Sequence, residues 1–286
     1  MRGIQETMLI RLGYDIQFDV PAPLAFVAQL HVHSSRTADL REPDRLLVES
    51  NGQPVPTHEY SDTYGNICTR FLAPVGPLRL TNSTLIEDPG LPDPIAASAR
   101  EIPPAELSDD LLIFLLNSRY CEVDKLSPIA HDLFGHVSPG WSRVYAITSW
   151  VNSKVTFGYR FARPTMTALD VFNERVGVCR DFQHLAVTFC RCMNIPARYV
   201  AGYLGDIGIP PSGTPMDFSA WFQAYLDGRW WTFDARHNKP RIGRVLMATG
   251  RDAADVAFLT SFGNSTLTKF EVVSDEVISG EITPGS

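Results

Sequence analysis

One cysteine is set apart in the stretch RVGVCRDFQHLAVTFCRCMN (175–194): Cys179 stands where a helical pattern begins. Phe182, Leu185, Ala186, Phe189, Cys190 and Met193 follow it close to i, i+3, i+4, i+7, which places Cys179 in or beside the first turn of an amphipathic helix. Unpaired N–H groups and the positive end of the helix dipole favour a thiolate there, and the same groups can hold a developing oxyanion. Nucleophile, metal ligand and small core residue are the three readings. Helical geometry removes the metal. Cys190 and Cys192, two residues apart, lie about 200° apart around the helix, and His184 lies about 140° round from Cys179. His184, Cys190 and Cys192 are read as packing residues.

The partners that decide between nucleophile and core residue lie in MDFSAWFQAYLDGRWWTFDARHN (216–238). Asp227-Gly228 between two alternating runs predicts a two-residue hairpin. That register pairs Leu226 with Arg229, Tyr225 with Trp230 and Gln223 with Thr232. Carried further, it pairs Trp221 with Asp234 and Ser219 with Arg236. Ala220, Phe222, Ala224, Leu226, Trp231 and Phe233 then form the core face. Ser219, Trp221, Gln223, Trp230, Thr232, Asp234 and Arg236 share the other, with Ser219 and Asp234 as diagonal neighbours. An acid among aromatics is a poor structural choice unless something uses it.

The elements that must position these residues divide into two unlike parts. Runs at 9–20, 24–35, 45–50 and 67–75 alternate as strands, separated by turn signals such as Asn51-Gly52 and Gly65-Asn66, and suggest a sandwich or small barrel. EDPGLPDP (87–94) reads as a linker. From Ser108, a helix cap, the period becomes helical in LSDDLLIFLLNSRY, and a second helix is expected from about 139 to 153, ending in a short strand. The expected division is a β-rich unit over 1–95 and a core over 96–286.

Composition narrows the class. A net charge of −7 without a Lys/Arg-rich run argues against nucleic acid as a partner. Five cysteines, unevenly spread, do not make a disulfide framework, and charges at Arg2, Glu6 and Arg11 interrupt any signal-peptide core. With no apolar run of membrane-spanning length, a cytoplasmic setting is expected. The phosphate-binding glycine patterns are absent, so no nucleotide is implied.

GVCRDFQHLAVTFCRCMNIPARYVAGYL followed by SAWFQAYLDGRWWTFD resembles the transglutaminase-like superfamily of papain-related enzymes. The upstream WVNSKVTFGYRFARPTMTALDVFNERVGVC is similar to that family's helix and short strand before the cysteine. In the family a Cys opens a helix, a His begins a strand in an H-A-W pattern, and an Asp ends the next strand. The resemblance covers about 140–250. It implies an α+β, papain-like core behind a β-sandwich-like domain, with Cys179 as nucleophile, Asp234 as orienting acid, and no cofactor or metal. The activity implied is cleavage or acyl transfer at an amide or peptide bond through a thioester on Cys179.

The family's histidine position is occupied by Ser219, forty residues after Cys179 and fifteen before Asp234. A hydroxyl does not accept a proton at neutral pH as imidazole does. Three resolutions stand open. Another histidine serves, with His237 the best placed if the chain turns near Ala235, ahead of His184, His131 and His136. Alternatively Cys179 works with Asp234 or a water held by Ser219. Or the chain is a pseudoenzyme that binds a peptide or amide in the same groove. Trp221, Trp230 and Arg236 are expected along that groove, and Asp181 is a normal first-turn acid with a lesser claim on the site. Arg241, Arg244 and Arg251, with Asp252 and Asp255, are read as a salt-bridged loop and strand. A peptide or protein amide is the expected partner; a homo-oligomer through the β-domain is the remaining expectation.

Overall fold

The structure, a computed structural model, describes residues 7–211, 213 and 215–277. The N-terminal half is built of strands: β1 (Met8–Val20), β2 (Leu24–Ala28), β3 (Leu47–Ser50), β4 (Gln53–Pro54), β5 (Thr57–Ser61), β6 (Ile67–Ala73) and β7 (Gly76–Asp88). β1 and β7 pair antiparallel along their whole length, from Met8 opposite Asp88 to Val20 opposite Gly76. Ile10, Leu12 and Ile16 of β1 and Leu78, Leu80 and Ile86 of β7 face a common interior. Phe26 of β2 and Phe71 of β6 stack there with centroids 5.3 Å apart, so two sheets close over one apolar layer.

After the Pro-rich segment the chain becomes helical. α1 (Asp109–Leu112) is one turn behind Ser108, followed by a 3-10 turn over Ile113–Leu115, shorter than the run LSDDLLIFLL suggests. α2 (Val123–Phe134) buries Leu126, Ala130 and Phe134, a helix that Pro128 in its interior hides from a reading of the sequence. α3 (Trp141–Lys154) and the short β8 (Thr156–Phe157) fall where expected. α4 (Ala168–Glu174) is capped by Thr167 and leads through β9 (Val176–Gly177) into α5 (Cys179–Cys192), which is buried from Asp181 to Cys192.

α5 packs against the antiparallel sheet formed by β10 (Ala197–Leu204), β11 (Ser219–Leu226), β12 (Arg229–Phe233) and β13 (Arg244–Gly250), in the order β12-β11-β10-β13. The architecture is the α+β, transglutaminase-like one that the resemblance implied. Asp227 and Gly228 carry φ of +51° and +84°, the left-handed pair that a two-residue hairpin of this twist requires.

The last strands do not belong to this sheet. β14 (Leu259–Ser261) pairs with β2, and β15 (Thr266–Glu276) pairs with β1 from Ile10 opposite Glu276 to Asp19 opposite Thr266. A division at residue 95 misses this return: 259–276 complete the sheets begun by 8–88. Tyr203, Val245 and Met247 of the core sheet enter the same apolar cluster as Ile10 and Leu12, so the β-rich layer and the core sheet are packed together. Among the described residues, no helix is long and apolar enough to cross a membrane.

Candidate active site

Cys179 is the first residue of α5. The preceding strand β9 delivers it through a parallel pairing of Thr156 with Val176 and Phe157 with Gly177. The Val178 N–H donates to Asp181 Oδ2 at 2.9 Å, so one carboxylate closes the helix start, and Arg180 Nη2 lies 2.8 Å from Asp181 Oδ1. A Cβ on Gly177 would meet Asp181 Cβ at 2.7 Å; glycine is required there because the capping carboxylate lies against its backbone. Asp181 is thus a structural cap. Cys179 is half-buried, whereas Cys68, Cys121, Cys190 and Cys192 are buried.

The thiol's surroundings are mixed. Burial pushes it up to about 11, opposed by the Arg236 guanidinium and by backbone groups of Arg180 and Ala220, while Asp217 adds to the rise. The helix start therefore does not by itself make a thiolate here, contrary to what its dipole suggests, because desolvation of the charged form outweighs it.

The carboxylate end of the site forms where the hairpin stops. The ladder ends at Phe222 opposite Phe233 and does not reach the pairs Trp221–Asp234 and Ser219–Arg236 that alternation predicts. Asp234 instead gathers the following turn: its Oδ1 accepts from the N–H of Arg236 at 2.9 Å and of His237 at 3.0 Å, and its carbonyl accepts from Asn238 N–H at 2.8 Å. Asn238, at φ +49°, ends the turn. α3 holds the turn from outside: Asn152 Nδ2 donates to the Arg236 and Ala235 carbonyls at 2.7 and 3.1 Å.

This turn brings the His237 ring back to its own acid. His237 Nδ1 lies 2.8 Å from Asp234 Oδ2. A carboxylate only accepts, so Nδ1 carries the proton and Nε2 is left as the acceptor. Arg244 Nη2 donates to the same Oδ2 at 2.9 Å, and Gln183 Nε2 donates to Oδ1 at 3.3 Å. Burial would raise the Asp234 carboxyl; the Arg244 guanidinium and then His237 outweigh it and hold the group well below the usual carboxylate range. Gln183, one turn after Cys179 on α5, also donates to the Ala220 carbonyl at 3.2 Å and accepts from Ala235 N–H at 3.1 Å. One amide thus fastens the cysteine helix, β11 and the Asp234 turn together.

Ser219, Arg236 and His237 line one cavity of about 550 Å³ together with Tyr159 and Asp217. Ser219 is buried and its Oγ has no hydrogen-bond partner among the described residues. Arg236 sits over the Phe157 ring at 3.8 Å. Trp221 and Trp230 do not line this cavity. Both faces of the sheet are covered, and Trp221 is buried beneath Arg244, whose guanidinium carbon lies 5.1 Å from the ring centroid. Trp230 packs against Phe114, Tyr225 and Arg198. Of the three expected groove residues only Arg236 is in place.

The remaining histidines lie elsewhere. His184 is buried in a stack on Tyr120 at 4.9 Å with its Nε2 accepting from Ala253 N–H, and burial holds it neutral. His131 and His136 are exposed on and after α2. Reading the sequence missed Asp217, Tyr159, Gln183 and the Arg244 contact. Gln183 had a signal, since i, i+4 from Cys179 puts it on the same helix face; Arg244 had none, because its contact is made across the sheet.

A profile of the Transglutaminase-like superfamily matches residues 128–235, which spans the start of α5, the hairpin and Asp234. The chain is also similar to the solved structure of a candidate cysteine protease from Cytophaga hutchinsonii. The two are 31% identical, with 96% of this chain and 92% of that chain covered and a TM-score of 0.82. An uncharacterized protein of Mycobacterium leprae is 28% identical over 208 residues, 70% of this chain and 74% of that one. The chain belongs to the transglutaminase-like superfamily.

Proposed function

We propose that the chain is a thiol enzyme that cleaves an amide or peptide bond, with His237 serving as the base that the family takes from the position of Ser219. The observation that carries this reading is the 2.8 Å contact between His237 Nδ1 and Asp234 Oδ2, on the cavity that Ser219 also lines. An acid-oriented imidazole is what a cysteine nucleophile requires, and its place in the chain matters less than its geometry.

In this mechanism Cys179 rests as the thiol. Its sulfur attacks the substrate carbonyl carbon while its proton passes to His237 Nε2. The carbonyl electron pair moves to oxygen, which the N–H groups of Cys179 and Arg180 at the start of α5 receive. Collapse breaks the C–N bond, and His237 returns the proton to the departing amine. A thioester on Cys179 remains. Water, deprotonated by His237, then attacks the thioester carbonyl; the C–S bond breaks, the acid leaves, and His237 returns the proton to the Cys179 sulfur. An amine in place of water would give acyl transfer; the two differ only in the second acceptor.

The test is to trap the acyl-enzyme. Incubation with a p-nitrophenyl ester, followed by mass spectrometry of the intact and digested protein, should show one acyl group on Cys179 and none after Cys179→Ala. Acylation spread over lysines, or absent, contradicts the proposal. The rival reading, a binding module with a dead site, draws on one observation: burial pushes the Cys179 thiol up to about 11, so no thiolate stands ready. That reading expects ligand binding without acylation.

A further inference from the structure

Arg244 meets the Asp234–His237 pair at the carboxylate and is not among the residues that line the cavity. Its side chain is 6% exposed and makes two ion pairs: Nη2 with Asp234 Oδ2 at 2.9 Å and Nε with Asp93 Oδ2 at 2.8 Å. Asp93 comes from the Pro-rich segment between the β-layer and the helices, and its Oδ2 also accepts from Arg241 N–H at 2.9 Å. Arg244 and His237 therefore bond the same carboxylate oxygen, Oδ2 of Asp234.

From this shared oxygen we propose that Arg244, clamped by Asp93, is the positioning residue that sets the pH at which His237 works as a base. The inference rests on the reading of His237 given above and deepens it.

When His237 takes a proton, the resulting imidazolium is stabilised by whatever negative charge Asp234 has left to offer. Arg244 already draws on that charge through the same oxygen, so the imidazolium gains less than it would from an unshared carboxylate. Asp93 returns negative charge to the far side of Arg244 and moderates its effect. The other charged groups around the pair are Arg241 beside Arg244, Arg236 and Lys239 on the turn, and Asp206, Asp217, Asp275 and Glu276 along the cavity. Among the described residues, Arg244 alone of the arginines and lysines bonds the Asp234 carboxylate through its side chain.

The test is the pH profile of iodoacetamide alkylation at Cys179, read by mass spectrometry on the full chain. In Arg244→Met the acid limb of that profile should move up by about one pH unit, the shift expected when a charge within a few ångströms of a titrating group is removed. In Asp93→Asn, which leaves Arg244 less compensated, the limb should move the other way. Arg244→Lys, which keeps the charge, should stay near the parent. A purely structural arginine would lower the melting temperature and scale all rates alike, without moving the limb or reversing sign between the two variants. If Arg244→Met does not fold, Asp93→Asn and Arg244→Lys still decide the matter. Loss of the limb in His237→Ala with no movement in the Arg244 and Asp93 variants overturns this inference and leaves the base in place. An unchanged profile in His237→Ala overturns both.

Discussion

His237 reaches back across three residues to place its Nδ1 2.8 Å from Asp234 Oδ2, so the acid and the ring it orients belong to one tight turn. The resembling family draws these two groups from separate strands. A turn held by Asp234 itself, with Asn152 of α3 on its carbonyls, reaches the same pairing from within five residues.

Asp234 should matter to stability in a pH-dependent way. Its folded-state pKa is depressed, so the stabilisation is present above the ordinary aspartate value of about 3.9 and is lost as pH falls below it. Asp234→Asn leaves Arg244 buried against a neutral partner, which should cost about 3–5 kcal/mol at pH 7. The difference from the parent should shrink near pH 3. Chemical denaturation of both proteins at the two pH values measures this, and an equal gap at both would count against it.

Gln183 joins Ala220, Ala235 and Asp234 with all three partners buried. Gln183→Ala should destabilise the protein by about 1–3 kcal/mol, the range for leaving buried groups unpaired. Because the same amide fixes the helix of Cys179 relative to the acid, acylation should slow as well. A stability loss with undiminished acylation would show that Gln183 supports the fold only.

Among the described residues, Ser219 makes no hydrogen bond through its buried Oγ. Ser219→Ala should therefore leave the denaturation midpoint unchanged or raise it, since an unsatisfied buried hydroxyl is replaced by a methyl. A marked loss of stability would reveal a partner for the hydroxyl. In a His237→Ala background, Ser219→His should restore part of the lost Cys179 reactivity, because an imidazole would return to the family's strand position.

Much of this arrangement is legible in the sequence, where local rules govern it. Asp227-Gly228 fixes the hairpin register through backbone φ alone, and the apolar spacing after Cys179 fixes α5. The register fails beyond Phe233 because the Asp234 side chain competes with the ladder for backbone N–H groups, and alternation cannot register such competition. β15 lies hundreds of residues from its partner β1, so nothing local marks it. Trp221 looked like a groove wall because the sequence does not show that both faces of the sheet are covered.

Gly177 is a point where the backbone itself is tested. Gly177→Ala sets a Cβ 2.7 Å from Asp181 Cβ, so either the strand β9 or the cap on α5 must yield. A lowered melting temperature by several degrees, with slower acylation of Cys179, is the expected outcome; full stability would mean that the cap shifts without cost.

Native alkylation should select one thiol of five. Cys179 is half-buried and the other four cysteines are buried, so brief iodoacetamide treatment should label Cys179 first and the rest only in denaturant. Access alone produces that selectivity, so it does not identify a base.

The pH profile of that alkylation in the parent and in His237→Ala tests the central claim. With His237 as base, the parent profile should carry an acid limb that depends on this imidazole. His237→Ala should lack it and react only as pH climbs toward about 11, the value to which burial pushes the Cys179 thiol. Superimposable profiles would contradict the account and return Cys179 to the status of a half-buried residue without a base.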